Sequence, residues 1–379
     1  MITKILALGH FDFSRHLLVA LAQRGIDVHY GYAGKPQFLP PQTENLTSFS
    51  IARAGRAQMI VEAVRRVRPD VIFVGSASYD GSNRVGFELL EADLGVPTIR
   101  FYKEFVVKPS ALERDVLLGV DGVVAGVERE ALYFQGVYGL DRGSIHVLDP
   151  DLIASDLIPT HPLPKLSARD GQAHVVIGGN VKADDSEFDY RTLLEGLSDA
   201  GVHTHVYAVG FSKWLALGRA LDPDSAEVRA AYAQLAEHPL VHFEAPLYGA
   251  EQVLAWTQYD AGITQRASDL FFAEITPWQE MNLPSKYSYY LGAGLPISVE
   301  RGALPSLREV LAETGVLLDY GDARELADKL GDLDAMAATQ VRVREVAPAH
   351  TAEAGLDELL AFAEGAMRRS RAGRDGAAR

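Results

Sequence analysis

The sequence predicts an α/β protein made of two Rossmann-like, doubly wound parallel-sheet domains. Short runs that are apolar throughout, such as Val71–Gly75, alternate with amphipathic helical stretches, as expected for parallel strands covered on both faces. The alternation lapses between Pro150 and Gln172, where prolines stand among polar residues, and then begins again. The chain has 379 residues, which is about twice the usual length of one domain.

The first half contains five predicted strands, most of them followed by a helical stretch. Ser14 suits a helix N-cap, and apolar residues at helical spacing follow it until Gly25, which suits a helix end. The predicted strands are Ile5–Leu8, Val28–Tyr32, Val71–Gly75, Thr98–Phe101 and Val123–Ala125, and the predicted helices lie at 14–25, 52–67, 85–94 and 128–137.

The second half repeats the same pattern after the proline-rich stretch. Its strands are again continuous apolar runs, and its helices again carry apolar residues at helical spacing. The predicted strands are His174–Ile177, His203–Val209, Val241–Phe243, Ala261–Thr264, Leu295–Val299 and Val316–Leu318, with helices at 190–197, 214–221, 226–235, 250–256 and 307–313 and further helices to about residue 367.

These patterns predict the domain boundaries. An acceptor-side domain is expected at 1–160, a linker at 161–172 and a nucleotide-sugar-binding domain at 173–347. A C-terminal helix at 348–368 is expected to pack back on the first domain. The last residues, 369–379, are basic and lack apolar side chains for packing, so they are expected to be disordered.

Composition excludes several classes of function. A net charge of −15 argues against a general nucleic-acid-binding protein, which would need a basic surface. The chain has no cysteine, so it has no disulfide, thiolate metal site or cysteine nucleophile. Its longest apolar runs fall well short of the ~18–20 residues of a membrane span. We therefore expect a cytoplasmic protein.

Two polar segments that follow strands of the first half are candidates for catalysis. In open parallel sheets, ligands bind beyond the carboxyl ends of the strands. His10 and Asp12 follow the first strand, where a histidine could act as a general base; the alternative is a polar loop that caps the next helix. Glu104 follows the fourth strand and could orient His10 or bind an acceptor hydroxyl, or form an exposed ion pair with Lys103.

The first strand of the second half runs into GGNVK, which is a candidate phosphate-binding turn. Gly178 and Gly179 permit close approach of the main chain, and Lys182 supplies positive charge. A plain tight turn is the alternative interpretation. The further positions expected to contact the same ligand are Asn180, Gly210 and Arg266.

His203 and His205 stand two residues apart and therefore on one face of a predicted strand. Paired histidines can bind a metal, but the local sequence suggests no third ligand. We therefore interpret the pair as structural and predict no metal site.

Residues 282–300, NLPSKYSYYLGAGLPISVE, predict a short helix followed directly by a buried strand. Pro284 suits the start of this helix and Gly294 its end. Ser285 and Lys286 then lie in the first turn, where a helix N-terminus and a lysine together favour an anionic ligand. A lysine solvated at a helix end is the alternative.

The motif PSKYSYYLGAGLPI, Pro284–Ile297, resembles in register the P-N-K-L-F-E-Y-L-A-A-G-L-P-V stretch of GT-B glycosyltransferases of the family 4-like group. VVIGGNVK resembles the glycine turn that opens the donor-binding domain of that group. The resemblance implies two domains that face each other across a cleft. It also implies sugar transfer from a UDP-, GDP- or dTDP-sugar, without metal or other cofactor, to a glycan, lipid-linked or small-molecule acceptor.

One residue departs from the resemblance. Tyr289 stands where the family has the glutamate that holds the donor ribose, and a phenol cannot accept hydrogen bonds from two hydroxyls as a carboxylate can. The alternatives are therefore a sugar-nucleotide epimerase, a pseudo-glycosyltransferase that joins non-sugar cyclitols, or an inactive nucleotide-binding partner subunit.

The sequence does not determine the anomeric stereochemistry of the transfer or the identity of the acceptor. The resemblance favours retention of anomeric configuration, whereas His10 paired with Glu104 would suit an inverting base. The arginines at 65, 66 and 68, together with the basic tail, could give weak peripheral contact with an anionic lipid-linked acceptor or could be solvated. The sequence gives no indication of oligomeric state.

Overall fold

The computed structural model describes residues 1–11, 14–33, 39–51, 55–76, 81–102, 111–183, 188–208, 223–264, 266–267 and 278–377. The chain forms two compact units. Unit 1 comprises Met1–Ala154, Ile275–Leu283 and Thr351–Arg379, and unit 2 comprises Ser155–Glu274 and Pro284–His350.

Unit 1 is built on a parallel sheet, which has seven strands in the described residues. In chain order these are β1 (Lys4–Gly9), β2 (Asp27–Ala33), β3 (Leu46–Ile51), β4 (Val71–Ser76), β5 (Thr98–Tyr102), β6 (Gly122–Ala125) and β7 (Ile145–Val147). They lie in the order β3-β2-β1-β4-β5-β6-β7. Every pair of neighbours is parallel.

The five strands predicted for the first half are confirmed, and two further strands form the edges of the sheet. In β3 the four residues between Leu46 and Ile51 are partly or fully exposed, so its sequence lacks the apolar run of an inner strand. β7 has three residues and only Ile145 is buried. Edge strands are covered less than central ones, which is why the apolar pattern did not identify either.

Unit 2 is built on a second parallel sheet, with six strands in the described residues. These are β8 (His174–Gly179), β9 (His203–Ala208), β10 (Val241–Phe243), β11 (Ala261–Ile263), β12 (Ile297–Glu300) and β13 (Leu317–Tyr320), in the order β10-β9-β8-β11-β12-β13. All neighbouring pairs are parallel. All six strands predicted for the second half are confirmed.

The helices pack against the sheets through apolar faces. In unit 2, for example, Leu193, Leu194 and Leu197 are buried against the core of the sheet. In chain order the helices are α1 (Arg15–Gln23), α2 (Arg56–Val67), α3 (Gly81–Ala92), α4 (Ala111–Gly119), α5 (Glu128–Tyr133), α6 (Ser167–Asp170), α7 (Arg191–Asp199), α8 (Pro223–Ala236), α9 (Gly249–Trp256), α10 (Trp278–Met281), α11 (Lys286–Gly292), α12 (Pro305–Val310), α13 (Ala323–Gly331), α14 (Leu333–Val346) and α15 (Leu356–Ala377). The helix predicted at 214–221 lies outside the described residues.

The proline-rich segment that was expected to be a linker is bonded to unit 2. The Leu163 N–H donates to Thr257 Oγ1 at 2.8 Å, and the Leu166 N–H donates to the Gln258 carbonyl at 2.9 Å. The first passage of the chain from unit 1 to unit 2 lies earlier, between Ala154 and Ser155.

Helix α15 returns the chain to unit 1. Its Phe362 ring packs against Gly122, where an added Cβ would lie 2.9 Å from the ring. Arg369 lies over the Phe362 ring and donates to the Asp121 carbonyl at 3.1 Å. Residues 369–377 continue this helix, where the sequence predicts a disordered tail, and Arg369 anchors the start of the stretch. Within the described residues, none of the helices combines the length and apolar character needed to cross a bilayer.

Two glycines bring the ends of β1 and β4 together and so set the position of His10. Gly9 has φ +95° and pairs with Gly75. An added Cβ on Gly75 would lie 2.2 Å from the His10 carbonyl oxygen, and one on Gly9 would lie 2.7 Å from the Gly75 carbonyl oxygen. Neither contact can be relieved by a side-chain rotation, because both partners are main-chain atoms.

We expect Gly75→Ala to destabilise the protein by about 1–3 kcal/mol through overpacking. Gly136→Ala is the matched control, because its Cβ would enter open space at an exposed helical position and should leave stability unchanged or slightly higher. Urea denaturation followed by circular dichroism measures both. Equal effects of the two substitutions would contradict the tight approach of β1 to β4.

Candidate functional site

Lys286 lies between the end of β8 and the start of α7. Its Nζ donates to the Gly178 carbonyl at 3.2 Å and to the Tyr190 hydroxyl at 3.2 Å, and it lies 5.7 Å from the centre of the Tyr190 ring. Burial lowers the pKa of Lys286 to about 7, and no carboxylate among the described residues offsets that effect. A buried ammonium without an anionic partner is unfavourable, so the position favours an incoming anion.

Tyr290 fixes the helix that carries Lys286 to two strands. Its hydroxyl accepts from the Gly178 N–H at 3.1 Å and donates to the Ile263 carbonyl at 2.9 Å. Its ring centre lies 5.0 Å from that of Trp256. An added Cβ on Gly178 would lie 2.5 Å from the Trp256 ring, so the first glycine of GGNVK is required by packing.

The second glycine of GGNVK leaves the main chain open. Gly179 has φ +104°, a conformation that favours glycine, and none of the described atoms lies within 4 Å of the place where its Cβ would be. Asn180, the next residue, is exposed. The main chain after β8 can therefore be approached closely by a ligand.

Tyr232 connects the loop that carries Lys182 to Tyr190. Its hydroxyl accepts from the Tyr190 N–H at 2.9 Å and donates to the Lys182 carbonyl at 2.9 Å. The Lys182 N–H donates to the Phe188 carbonyl at 3.0 Å, and the Lys182 ammonium lies 5.5 Å from the Phe188 ring. The residues of the GGNVK turn and Lys286 thus converge on the segment 188–190.

Arg266 is engaged within the protein. Its Nε donates to Glu300 Oε2 at 3.3 Å and its Nη1 donates to the Asp189 carbonyl at 3.3 Å. The guanidinium lines a cavity of about 360 Å³ together with Asp189, Arg191 and Thr192. Any phosphate at Arg266 would therefore share this guanidinium with Glu300.

The three tyrosines of α11 have different environments. Tyr287 and Tyr290 are buried in the core, whereas Tyr289 is half-buried. Ser285 stands before the first residue of this seven-residue helix, and its side chain makes no capping hydrogen bond. Tyr289 is therefore the tyrosine placed where a ligand can reach it.

Of the three residues predicted to act in catalysis in unit 1, the structure describes only His10. His10 is half-buried directly after β1, next to Gly75. Asp12 and Glu104 lie outside the described residues, as does Gly210 of the predicted donor side. The grouping of His10 with Asp12 and Glu104 therefore stays a prediction.

Sequence reasoning missed three residues of this site, namely Tyr190, Tyr232 and Trp256. Tyr232 and Trp256 lie far along the chain from the glycine turn, whereas Tyr190 follows Gly179 by 11 residues. Each of the three looks like an ordinary core aromatic in the sequence. The sequence analysis assigns no role to Tyr290. The available signal was that the family pattern P-N-K-L-F-E-Y also has a tyrosine at this position.

Solved structures with the same architecture were found. The protein HepE from Anabaena, determined in complex with UDP and glucose, shares 16% identity at a TM-score of 0.63, with 95% of this chain and 99% of that chain covered. Sucrose-phosphate synthase from Thermosynechococcus elongatus shares 14% identity at a TM-score of 0.64, with 98% and 100% covered.

A third similar structure is a putative UDP-N-acetylglucosamine 2-epimerase from Listeria monocytogenes, with 12% identity, a TM-score of 0.60 and 98% of each chain covered. No protein-family model and no curated protein sequence matches this chain. The chain has the GT-B fold. At these identities the likeness concerns the fold alone, and the GT-B fold confirms the architecture predicted from the sequence.

We expect Tyr290→Phe to destabilise the protein by about 1–3 kcal/mol, because the buried Gly178 N–H and Ile263 carbonyl each lose a partner. Tyr320→Phe is the matched control: the buried Tyr320 hydroxyl has no hydrogen-bond partner among the described residues, so its removal should be neutral or stabilising. Thermal denaturation of both variants tests the difference. A Tyr290→Phe variant as stable as the control would contradict the bridging role of Tyr290.

Proposed function

We propose that the protein is a glycosyltransferase that moves a sugar from a nucleoside-diphosphate sugar to an acceptor hydroxyl. The observation that carries the proposal is the desolvated ammonium of Lys286, which has no carboxylate partner among the described residues and lies beside the glycine turn at Gly178 and Gly179. An anion that reaches this place gains a cation and uncovered main chain at once. The GT-B fold, shared with HepE in its complex with UDP and glucose and with sucrose-phosphate synthase, supports a sugar nucleotide as that anion.

In the proposed reaction the bond between the anomeric carbon and the phosphate oxygen breaks, and its electron pair stays on the β-phosphate. Lys286 stabilises this developing negative charge, assisted by Lys182 and by the main chain of the GGNVK turn. The acceptor oxygen forms the new bond to the anomeric carbon, and its proton passes either to a base on the acceptor side or to the departing β-phosphate. These lysines supply the positive charge at the leaving group, so we propose that no divalent ion enters the transfer step.

The proposed donor is a UDP-sugar in the first instance, since HepE was determined with UDP and glucose and shares the GT-B fold. Half-buried Tyr289 occupies the place where the sequence pattern has a ribose-binding glutamate. We propose that the donor ribose is held without a carboxylate at residue 289. GDP and dTDP sugars are the alternatives to compare.

On the acceptor side we propose that His10, with Asp12 and Glu104, binds the acceptor or removes its proton. The anomeric configuration of the product distinguishes two roles. An inverted product requires a base, and His10→Ala should then lower turnover strongly. A retained product needs no strong base, and His10→Ala should then be nearly neutral.

A second candidate function is sugar-nucleotide epimerisation, which the similarity to the Listeria epimerase structure supports. The two reactions are distinguished by incubating the protein with a panel of nucleotide sugars. A transferase releases nucleoside diphosphate and glycosylates an acceptor or water. An epimerase returns an altered nucleotide sugar without net release. A partner subunit would bind the nucleotide and do neither.

We expect Lys286→Ala to lower turnover about 10²–10³-fold, because the leaving diphosphate loses its buried cation. Lys286→Arg should retain part of the activity, because the guanidinium keeps the charge. Lys329→Ala is the control, since that lysine already forms an ion pair with Glu325 at 3.0 Å. The measurement is nucleoside-diphosphate release at saturating donor, with circular dichroism to verify folding. Unchanged turnover in Lys286→Ala would overturn the proposed role.

Nucleotide binding should be accompanied by proton uptake. The pKa of Lys286 is about 7 in the protein alone, so most molecules have a neutral amine at pH 8. A diphosphate beside the amine raises its pKa, and binding at pH 8 should therefore take up about one proton. Calorimetric titrations with UDP in buffers of different ionisation enthalpy measure this number.

Lys286→Arg is the control for proton uptake, because the guanidinium stays charged with or without the ligand. It should bind UDP with no dependence of the enthalpy on the buffer. A wild-type enthalpy that is equally independent of the buffer would contradict the proposal that the diphosphate binds beside a neutral Lys286 amine and raises its pKa.

A further inference from the structure

Four histidines form a stacked array on one face of unit 2, at the edge of the sheet opposite to Gly179. His174 and His203 are the first residues of β8 and β9 and pair with each other, and His205 of β9 pairs with His242 of β10. The rings of His174 and His203 lie 4.3 Å apart and nearly parallel, as do those of His205 and His242 at 4.4 Å. We call these four residues the histidine array.

The array contains a chain of three polar contacts between two carboxylates. Asp170 Oδ2 lies 3.0 Å from His174 Nε2, and His174 Nδ1 lies 3.0 Å from His205 Nε2. His205 Nδ1 lies 3.0 Å from Glu244 Oε1. Each contact is a hydrogen bond only if one proton lies between its two atoms.

Counting protons shows that this chain lacks one. A neutral imidazole carries one N–H, so two neutral histidines supply two protons for three contacts. If His205 donates to Glu244 and His174 donates to His205, the lone pair of His174 Nε2 faces the carboxylate of Asp170. The opposite tautomers move the same conflict to Glu244. If each imidazole instead donates to its own carboxylate, the lone pairs of His174 Nδ1 and His205 Nε2 face each other at 3.0 Å. In each arrangement one contact lacks a proton, and one added proton or one metal ion completes the chain.

The surroundings favour a metal ion over the extra proton. The side chain of His174 is 5% exposed, and its ring lies 4.3 Å from the ring of His203 and 5.3 Å from that of His205. An imidazolium at His174 would therefore be shielded from water and packed against two other imidazoles, whereas a metal ion would bind atoms of several residues at once. Neutral imidazoles and an ionised carboxylate are also the forms in which these groups bind metals.

Three potential ligand atoms lie close together around the contact between Asp170 and His174. One atom each from Asp170, His174 and His203 lie within 4.8 Å of one another. Gln172 Oε1 lies 2.5 Å from His203 Nε2, so binding of an ion at this nitrogen requires the Gln172 amide to move away from the ring. A shell of two imidazole nitrogens and carboxylate oxygen suits Zn²⁺, whereas Mg²⁺ and Ca²⁺ prefer oxygen ligands alone.

We propose that Asp170, His174 and His203 bind a structural Zn²⁺ ion. The ion takes the lone pair of His174 Nε2, so that His174 Nδ1–H donates to His205 and His205 Nδ1–H donates to Glu244. His203 binds through Nε2 and donates through Nδ1 to His242 Nε2, 3.0 Å away. Two neutral imidazoles then satisfy all remaining contacts of the chain, and each ligand histidine is oriented by a second residue.

This site is separate from the donor-side residues. β8 runs from His174 to Gly179, and five residue steps of ~3.3 Å place its ends about 16 Å apart. The ion would join the segment before β8 to the starts of β8 and β9. Its role is to stabilise unit 2, and it takes no part in the proposed transfer.

The first test is titration of chelator-treated protein without a polyhistidine tag with Zn²⁺ in a calorimeter. We expect one Zn²⁺ per chain, and a rise in melting temperature with Zn²⁺ that Mg²⁺ does not give. His203→Ala should weaken binding at least about tenfold. His161→Ala removes an exposed histidine outside the array and should bind as the wild type does. Equal binding by wild type and His203→Ala, or no binding by the wild type, would overturn the proposal.

The second test uses Asp170→Asn, which separates a metal site from a protonated array. The introduced amide can donate to His174 Nε2 and supply the missing proton, while its oxygen can still accept from the Gln172 N–H as Asp170 does at 3.0 Å. We expect this variant to melt higher than the wild type in chelator and to lose the response to Zn²⁺. A variant that melts lower in chelator, or one that keeps the Zn²⁺ response, would contradict the proton count and the assignment of Asp170 as a ligand.

Discussion

The donor side of unit 2 depends on one buried hydroxyl. Tyr290 bonds to the main chain at the ends of β8 and β11, and its ring fills the space that Gly178, Gly262 and Trp256 leave between them. A main-chain group that is buried without a partner is costly, so this arrangement holds α11 in one position. Lys286 lies one helical turn before Tyr290, and its position at Gly178 follows from that bond.

The same packing determines the environment of the Lys286 ammonium and lowers its pKa. The neighbours of its ammonium are a carbonyl, a phenol and an aromatic ring, which orient the group but do not neutralise it. Its pKa therefore falls to about 7, whereas a solvated lysine would stay near its usual value. A lysine with this lowered pKa favours anionic ligands, because a neighbouring negative charge stabilises its protonated form.

The two edges of the sheet in unit 2 differ in the balance of positive and negative charge. At the carboxyl edge the Lys286 ammonium has no carboxylate partner among the described residues, and at the amino edge two neutral imidazoles supply only two protons for three contacts. Lys286 and His174 are shielded from water, whereas Asp170 and Glu244 are partly exposed. The shielding of the ammonium and of the imidazoles turns each imbalance into a preference for a ligand.

The sequence by itself determined the α/β architecture, the inner strands and the glycine turn, because each is a local pattern of apolar residues, glycine or proline. It also identified Lys286 through a continuous motif. Only the tertiary structure decided that Lys286 is buried, that Tyr190 and Tyr290 hold its surroundings, and that Asp170 and His174 join His203. These contacts connect residues 29 or more positions apart, except for Asp170 and His174, and they follow from the register of parallel strands. No local pattern encodes that register, because it is set by which apolar faces pack together across the whole sheet.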